Sequence, residues 1–223
     1  MKRLLVHTIK KLGYDIHKLR DSFIDQKKLI PKPGIIIDAG GHYGETTIKY
    51  KQQYSNSKIF IFEPTESSFQ KLKATFSDKS ISLVNKGLAS VDGGKKFFKN
   101  AYDGTNSFYP RPKSGKAYYP PTGYTVETCK VPVVRLDTFA RENQISHIDI
   151  LKMDIQGSEL DALKGAEKLL KSKSIDLIYT EVFFIPHYEG APLFDSVFQY
   201  LNSFGYTLYG VYNNFHAPPQ TDN

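Results

Sequence analysis

The sequence holds one cysteine, Cys129, and no tryptophan. A lone cysteine excludes an intrachain disulfide framework, and a reducing compartment such as the cytoplasm fits it. No stretch approaches the roughly 18 consecutive apolar residues of a spanning helix, so no transmembrane segment is expected. No internal repeat is apparent. Acidic residues are fewer than basic ones, giving a net charge of +7. Such a balance suits acidic partners: nucleic acid, phosphate-bearing glycans or lipid headgroups. Many soluble proteins carry as much without any anionic partner.

At 223 residues the chain is one large domain, or one domain with a small appendage. The apolar residues of the first twenty positions are interrupted by His7, Thr8, Lys10 and Lys11, which does not read as a signal peptide. Leu4, Leu5, Ile9, Leu12, Ile16 and Leu19 can line one side of a helix, with lysines and arginines elsewhere. That pattern suits either packing on its own domain or peripheral contact with an anionic membrane. Residues 1–33 are therefore assigned to a helical extension, 34–217 to the main domain and 218–223 to a frayed tail.

The centre of the pattern is Gly34 to Glu45. Ile35, Ile36 and Ile37 form a β-branched run suited to a strand covered on both faces. Gly40, Gly41 and Gly44 follow, where the backbone can turn tightly and a ligand can approach. Thr46, Thr47, Ile48 and Tyr50 then predict a helix, its N-terminal amides aimed over the glycines. A dinucleotide fingerprint would need glycine where Ala39 stands. The turn fits Asp38, Gly40 and Gly44 better, and an anionic Asp38 suits a cationic ligand such as S-adenosylmethionine. Glu63 ends the run Lys58 to Phe62, where a carboxylate can accept both ribose hydroxyls.

Alternating strand and helix patterns place further strands at about 80–84, 148–154, 175–184 and 205–211, predicting an α/β fold with a mostly parallel sheet. Residues 92–130 break this rhythm. Asp92-Gly93-Gly94 is a hairpin signal, Val126 to Leu136 reads as a strand with Pro132 at an edge or bulge, and a long loop lies between. Tyr102, Phe108, Tyr109, Tyr118, Tyr119 and Tyr124 in that loop can stack on sugar rings, and Arg111, Lys113 and Lys116 can hold phosphates. The expectation is an acceptor-binding lid, with Tyr109, Arg111, Tyr118 and Tyr119 as substrate contacts; the plainer reading is a surface loop whose tyrosines pack locally.

The segments IIIDAGGHYGETT (35–47), IFEPTESSF (61–69), LDTFARENQISHIDILKMDIQGSELDALKGAEKLL (136–170) and TEVFF (180–184) resemble FkbM-type methyltransferases. The likeness runs from about Pro33 to Tyr212 and is most specific in KMDIQGSELDALKGA. The family commonly carries Asn and Glu where this chain has His42 and Gln156. The resemblance implies a doubly wound, Rossmann-like class I methyltransferase fold with a hairpin and loop inserted between the third and fourth core strands. It implies S-adenosylmethionine as cofactor, and a cofactor-facing loop at Asn85 to Ser90 that includes Gly87. It implies methyl transfer to a hydroxyl, a sugar of a glycan, glycolipid or nucleotide-linked precursor being the expected acceptor and a non-sugar molecule or peptide the alternative.

Ligands of open α/β sheets sit beyond the carboxyl ends of the strands, where Asp38, Glu63, Asp154 and Glu181 all fall. Asp38, Gly40, Gly41, His42, Gly44, Glu63, Gly87 and Asp154 are the candidate cofactor contacts. A hydroxyl acceptor also needs a base within hydrogen-bond reach. The candidates are Asp154, Glu181 and His187, with Gln156 and Glu159 able to cap the helix or orient Asp154. A divalent ion is not expected; if one takes part, Asp154 and Glu181 are its ligands, as acids at such strand ends are in other sugar methyltransferases. Two rival classes stay open: a nicotinamide-dependent oxidoreductase, against which Ala39 and Asp38 count, and a basic RNA-binding module using the loop tyrosines. Nucleic acid is not the expected partner.

Overall fold

The computed structural model describes residues 21–112 and 124–213. The basic helical pattern before position 21, Lys113, Lys116, Tyr118, Tyr119 and the tail from 214 lie outside the described residues. The elements follow in order as α1 (Ser22–Leu29), β1 (Ile35–Ala39), α2 (Glu45–Gln53), β2 (Lys58–Phe62), α3 (Glu66–Thr75), β3 (Ile81–Val84), β4 (Gly87–Leu88), β5 (Gly93–Asn100), a short 3-10 turn (Asp103–Thr105), β6 (Thr125–Val134), α4 (Leu136–Glu142), β7 (Ile148–Met153), α5 (Glu159–Lys164), α6 (Glu167–Lys171), β8 (Ile175–Thr180) and α7 (Phe194–Ser203).

Five strands make a wholly parallel sheet in the order β3-β2-β1-β7-β8. The alternation of side chains along a strand divides the core in two. Ile37, Ala39, Phe60, Phe62, Leu151 and Met153 join the larger cluster on one face, with α4 to α7. Ile36, Ile59, Ile61 and Ile150 face the other way onto Tyr50, Tyr54 and Leu72 of α2 and its neighbours. Burial on both faces explains why these strands are nearly continuous in Ile and Phe rather than alternating with polar residues. The chain runs outward from β1 through β2 to β3, then returns to the other side of β1 as β7. The order therefore reverses between β1 and β7, and the crevice above that point is where such sheets bind ligands.

A second, three-stranded sheet has the order β4-β6-β5. Here the structure corrects the expected hairpin. The turn at Asp92 to Gly94 does not join paired strands, because β4 and β5 lie on opposite sides of β6. Asp92 instead accepts hydrogen bonds from Arg135 N at 2.8 Å and Thr138 Oγ1 at 2.9 Å, fastening the start of α4. Pro132 is tolerated because β4 reaches only Val133 and Val134, leaving one side of β6 open at the proline. The small sheet has its own core of Ala89, Phe97, Phe108, Val131 and Val133.

Two further expectations change. The helix expected after Ser158 is two short ones, divided at Gly165-Ala166. The strand expected at 205–211 is absent, so β8 is an edge. Side-chain hydroxyls hold that segment in place of a backbone ladder: Tyr206 donates to Ile175 O at 2.8 Å and Tyr212 to Asp25 Oδ2 at 3.0 Å. Among the described residues no helix is long and apolar enough to cross a membrane.

Gly165 marks a close contact between the two sheets' neighbourhoods, since a Cβ there would lie 2.0 Å from Ala89 O. Alanine would gain up to about 1 kcal/mol of helix propensity, while overpacking typically costs about 1–3 kcal/mol. The clash is with backbone, which cannot rotate away. Gly165→Ala should therefore lower the stability measured by urea unfolding rather than raise it.

Candidate functional site

A cavity of about 260 Å³ opens above the carboxyl ends of β1, β2 and β7. Gly40 and Gly41 form its floor, Glu63 one wall, Gly87 and Leu88 another, and Asp154 to Gln156 the side toward β8. Residues 102–108 of the insertion cover it through Tyr102, Asp103, Gly104, Asn106 and Phe108. The glycine turn is shaped by two amides, Gly40 N and Gly41 N, both donating to Phe62 O at 3.0 Å. Gly40 has φ +79° and room only for hydrogen, as a Cβ would sit 1.8 Å from Asp154 O. Gly44, with φ +93°, likewise makes way for the ring of Phe76.

Glu63 stands where the sequence placed it. Each carboxylate oxygen accepts one backbone amide: Oε2 from His42 N at 2.9 Å and Oε1 from Thr65 N at 2.8 Å. Burial pushes its carboxyl above the ordinary value, against these hydrogen bonds. A carboxylate oxygen has capacity for a second donor, so both remain able to accept from a ligand in the cavity.

Asp38 differs from expectation. Its carboxylate is fully buried and does not line the cavity. Oδ2 accepts from Thr47 Oγ1 at 2.6 Å, and Oδ1 is ion-paired with Lys152 Nζ at 2.9 Å. The sequence reading missed Lys152. Its signal was a lone cation inside the apolar run Ile148 to Met153, at the β7 position directly opposite Asp38 in β1. Lys152 also donates to Gly40 O at 3.0 Å and borders the cavity. Burial works against its charge, but the carboxylates of Asp38, Asp154 and Glu181 outweigh that and raise its pKa.

Asp154 and Glu181 come together as expected. One side chain joins them: Gln156 Nε2 donates to Asp154 Oδ1 at 2.9 Å and to Glu181 Oε2 at 2.8 Å. Burial, then the neighbouring Asp154 and Glu159, push Glu181 well above the usual carboxylate range, with Lys152 opposing. Glu159 is buried behind the turn and accepts from Ile155 N at 2.9 Å; burial is the main cause that raises it to about 7. An amide donor between the two acids does not fit a bound cation in that space. Among the described residues the one set with metal-ligand spacing is His147, Asp149 and Asp176, at the opposite end of the sheet, where hydrogen bonds already join them to each other or to Gly34 N and Ile35 N.

His42 lines the cavity with φ +46°, and its ring stacks on Tyr43 at 3.7 Å. His42 Nε2 lies 3.2 Å from Asp103 Oδ1, and Tyr43 donates its hydroxyl to the other Asp103 oxygen. Asp103 is partly buried, which disfavours its charge, yet the Tyr43 and His42 contacts hold it below its ordinary value. The glycine turn and the insertion are thus fastened to each other.

His187, Tyr109 and Arg111 do not line the cavity. The ring of His187 stacks on Phe183, and burial together with the Arg111 guanidinium lowers its pKa. Tyr109 packs against the core of the small sheet, as the plainer reading of the loop had it. Arg111 lies over the Tyr188 ring at 4.2 Å and donates to His187 O at 3.1 Å. Tyr188, fully buried and also missed from sequence, places its hydroxyl 2.7 Å from Gln156 Oε1 and 2.9 Å from Thr105 O.

Two outcomes follow from these charges. Lys152→Met leaves Asp38 buried without its cation and should cost about 3–5 kcal/mol in urea unfolding, most of it recovered in the Asp38→Asn, Lys152→Met double variant. Glu159 has a folded pKa above its unfolded one, so its contribution to stability is full below the unfolded value and lost as pH rises through about 7. Glu159→Gln should match the parent near about pH 5 and exceed it near about pH 8, by at most about 3 kcal/mol.

The FkbM methyltransferase domain model matches residues 38–208. Methyltransferase 1 of Beauveria bassiana is 29% identical over 167 residues, 68% of this chain and 66% of its own length. Methyltransferase sdnD of Sordaria araneosa is 25% identical over 163 residues, covering 62% of each chain. The 2-O-methyltransferase NoeI of Sinorhizobium fredii is 24% identical over 184 residues, 79% of this chain and 74% of its own. The chain thus spans a little under two thirds of the length of the first two relatives. With its parallel sheet, its glycine turn and a match over most of its length, the chain belongs to the FkbM methyltransferase family.

Proposed function

We propose that the cavity binds S-adenosylmethionine and that the chain transfers its methyl group to a hydroxyl, on a sugar of a glycan, glycolipid or nucleotide-linked precursor. The observation that carries this reading is Glu63. Fixed by two backbone amides at the tip of β2, it turns its remaining acceptor capacity into the cavity over the glycine turn, which suits a ribose diol. When bound, S-adenosylmethionine supplies a methyl carbon activated by a sulfonium. The chain's own residues do the rest. Gly40 and Gly41 let the backbone approach the donor, the 102–108 segment excludes water, and Asp154 receives the acceptor proton. Asp154 suits that role because it lines the cavity, whereas Glu181 is held toward its neutral form and His187 lies outside the cavity's lining. The relative named as a 2-O-methyltransferase supports a hydroxyl acceptor.

Calorimetry with S-adenosylmethionine and, separately, with NAD tests the cofactor. S-adenosylmethionine should bind, and Glu63→Ala should weaken it by about tenfold or more, the loss of two charge-assisted hydrogen bonds. Binding of NAD alone would overturn the reading. Transfer of label from methyl-labelled S-adenosylmethionine to a panel of free and nucleotide-linked sugars tests the acceptor. Asp154→Asn should cut turnover by about a hundredfold or more while changing cofactor affinity much less.

A further inference from the structure

Gln156 makes four contacts that no other residue at the site combines. Its amide nitrogen donates to Asp154 and to Glu181, on the ends of two different strands. Its amide oxygen lies 2.7 Å from the hydroxyl of Tyr188, which is buried in the loop after β8. Its backbone carbonyl accepts from Ser107 Oγ of the insertion at 2.6 Å. The residue also holds φ +55°, a left-handed conformation that a side chain other than glycine rarely adopts. The turn thus keeps an uncommon backbone shape, and that shape places the amide between two carboxyls.

We propose that Gln156 is the positioning residue of the acid pair: its amide holds Glu181 beside Asp154 of the cavity wall, and its contact with Tyr188 anchors the other end of the amide. This rests on the proposed methyl transfer only for its consequence in turnover; the arrangement itself is a property of the free protein. The polarity of the amide is decisive. The NH2 end meets two carboxyls and the oxygen end meets a hydroxyl, so each group finds its complement. Reversing the amide would set its oxygen against both acids, whereas the Tyr188 hydroxyl can donate to one end or accept from the other; the two carboxyls therefore decide the polarity and Tyr188 anchors it. A hydroxyl carries one hydrogen, so Tyr188 gives it either to Gln156 or to Thr105 O, 2.9 Å away. Besides burial, Glu181 is acted on by Asp154 and Glu159, which repel its charge, by a direct side-chain hydrogen bond with Asp154 that favours its neutral form, and by Lys152, which favours its charge. Gln156 adds the donor that lets the pair carry charge beside Glu159.

The test is a carboxyl titration followed by NMR on protein isotope-labelled at the side-chain carboxyl carbons, with Glu181→Gln and Asp154→Asn used to assign the two signals. Gln156→Glu keeps the shape but puts a third carboxyl where the donor was. It should move the Glu181 midpoint upward by about one pH unit or more. Tyr188→Phe keeps the ring and removes the hydroxyl, freeing the amide to turn; it should move the same midpoint upward by less. A purely structural role would lower the unfolding temperature and leave both midpoints in place. If Gln156→Glu does not fold, Tyr188→Phe carries the test alone. Unmoved Glu181 and Asp154 midpoints in the variants that fold overturn the proposal. Calorimetry of the parent with S-adenosylmethionine separates the two failures: binding with unmoved midpoints sinks Gln156 alone, while moved midpoints without binding sink the methyltransferase site and leave Gln156 standing.

Discussion

The buried ion pair between Asp38 and Lys152 is the constraint around which the site is arranged. The two residues are direct partners in the β1–β7 register, at the point where the strand order turns back. Neither carboxylate nor ammonium could be buried there alone. Their mutual contact, with Thr47 on one side and Gly40 O on the other, supplies the compensation. A buried pair of this kind is rarely a net source of stability compared with apolar residues of the same size. Its consequence is geometric. Sliding β7 by one residue would separate the charges and turn Lys152 to the other face of the sheet. The pair therefore fixes the register that brings Asp154 to the cavity wall one turn of chain beyond Lys152.

The pair also changes the electrostatics of the rim. Counting acids at strand ends suggests a strongly negative surface poised for a cationic donor. Lys152 cancels Asp38, and Glu159 and Glu181 are both pushed toward their neutral forms. Glu45, Glu63, Asp103 and Asp154 are the acids that border the cavity, and burial raises Glu63 as well. Under the proposed function, the donor is held less by a field than by particular contacts: paired acceptor oxygens on Glu63, close-approaching backbone at Gly40 and Gly41, and the cover of residues 102–108.

How much of this was legible in the sequence depends on the range of the interaction. Ile35 to Ile37, the three glycines, Glu63 with Pro64, and the KMDIQGSE segment announce themselves because strand, turn and cap preferences act over a few residues. Asp38 was located correctly at the end of β1 but assigned the wrong neighbour, because only pairing with β7 reveals Lys152. The inserted sheet failed for the same reason: Asp92-Gly93-Gly94 has hairpin chemistry, while the choice of β6 as partner for both β4 and β5 is made by long-range packing of Phe97, Phe108, Val131 and Val133. The strand expected at 205–211 has the right residues for a ladder. Tyr206 and the adjoining Tyr212 instead spend their hydroxyls on Ile175 O and Asp25, a side-chain solution that no periodicity discloses.

His187, Tyr109 and Arg111 read as site residues in the sequence yet lie outside the cavity lining, because they pack against the protein itself. An aromatic or basic residue in a long loop has two uses, stacking on a ligand or stacking on the protein, and composition does not separate them. Here Arg111 covers Tyr188, His187 covers Phe183, and Glu189 N donates to Pro110 O at 2.9 Å, so the insertion and the loop after β8 are fastened into one wall. The wall meets the acid pair through the Tyr188 hydroxyl and the Ser107 hydroxyl, both on Gln156. A change in either loop is therefore felt at the carboxyls without touching them. Under the proposed function, the five-stranded sheet and glycine turn would hold the donor, the two loops would be where acceptor choice can vary, and Gln156 would join them to the acid pair.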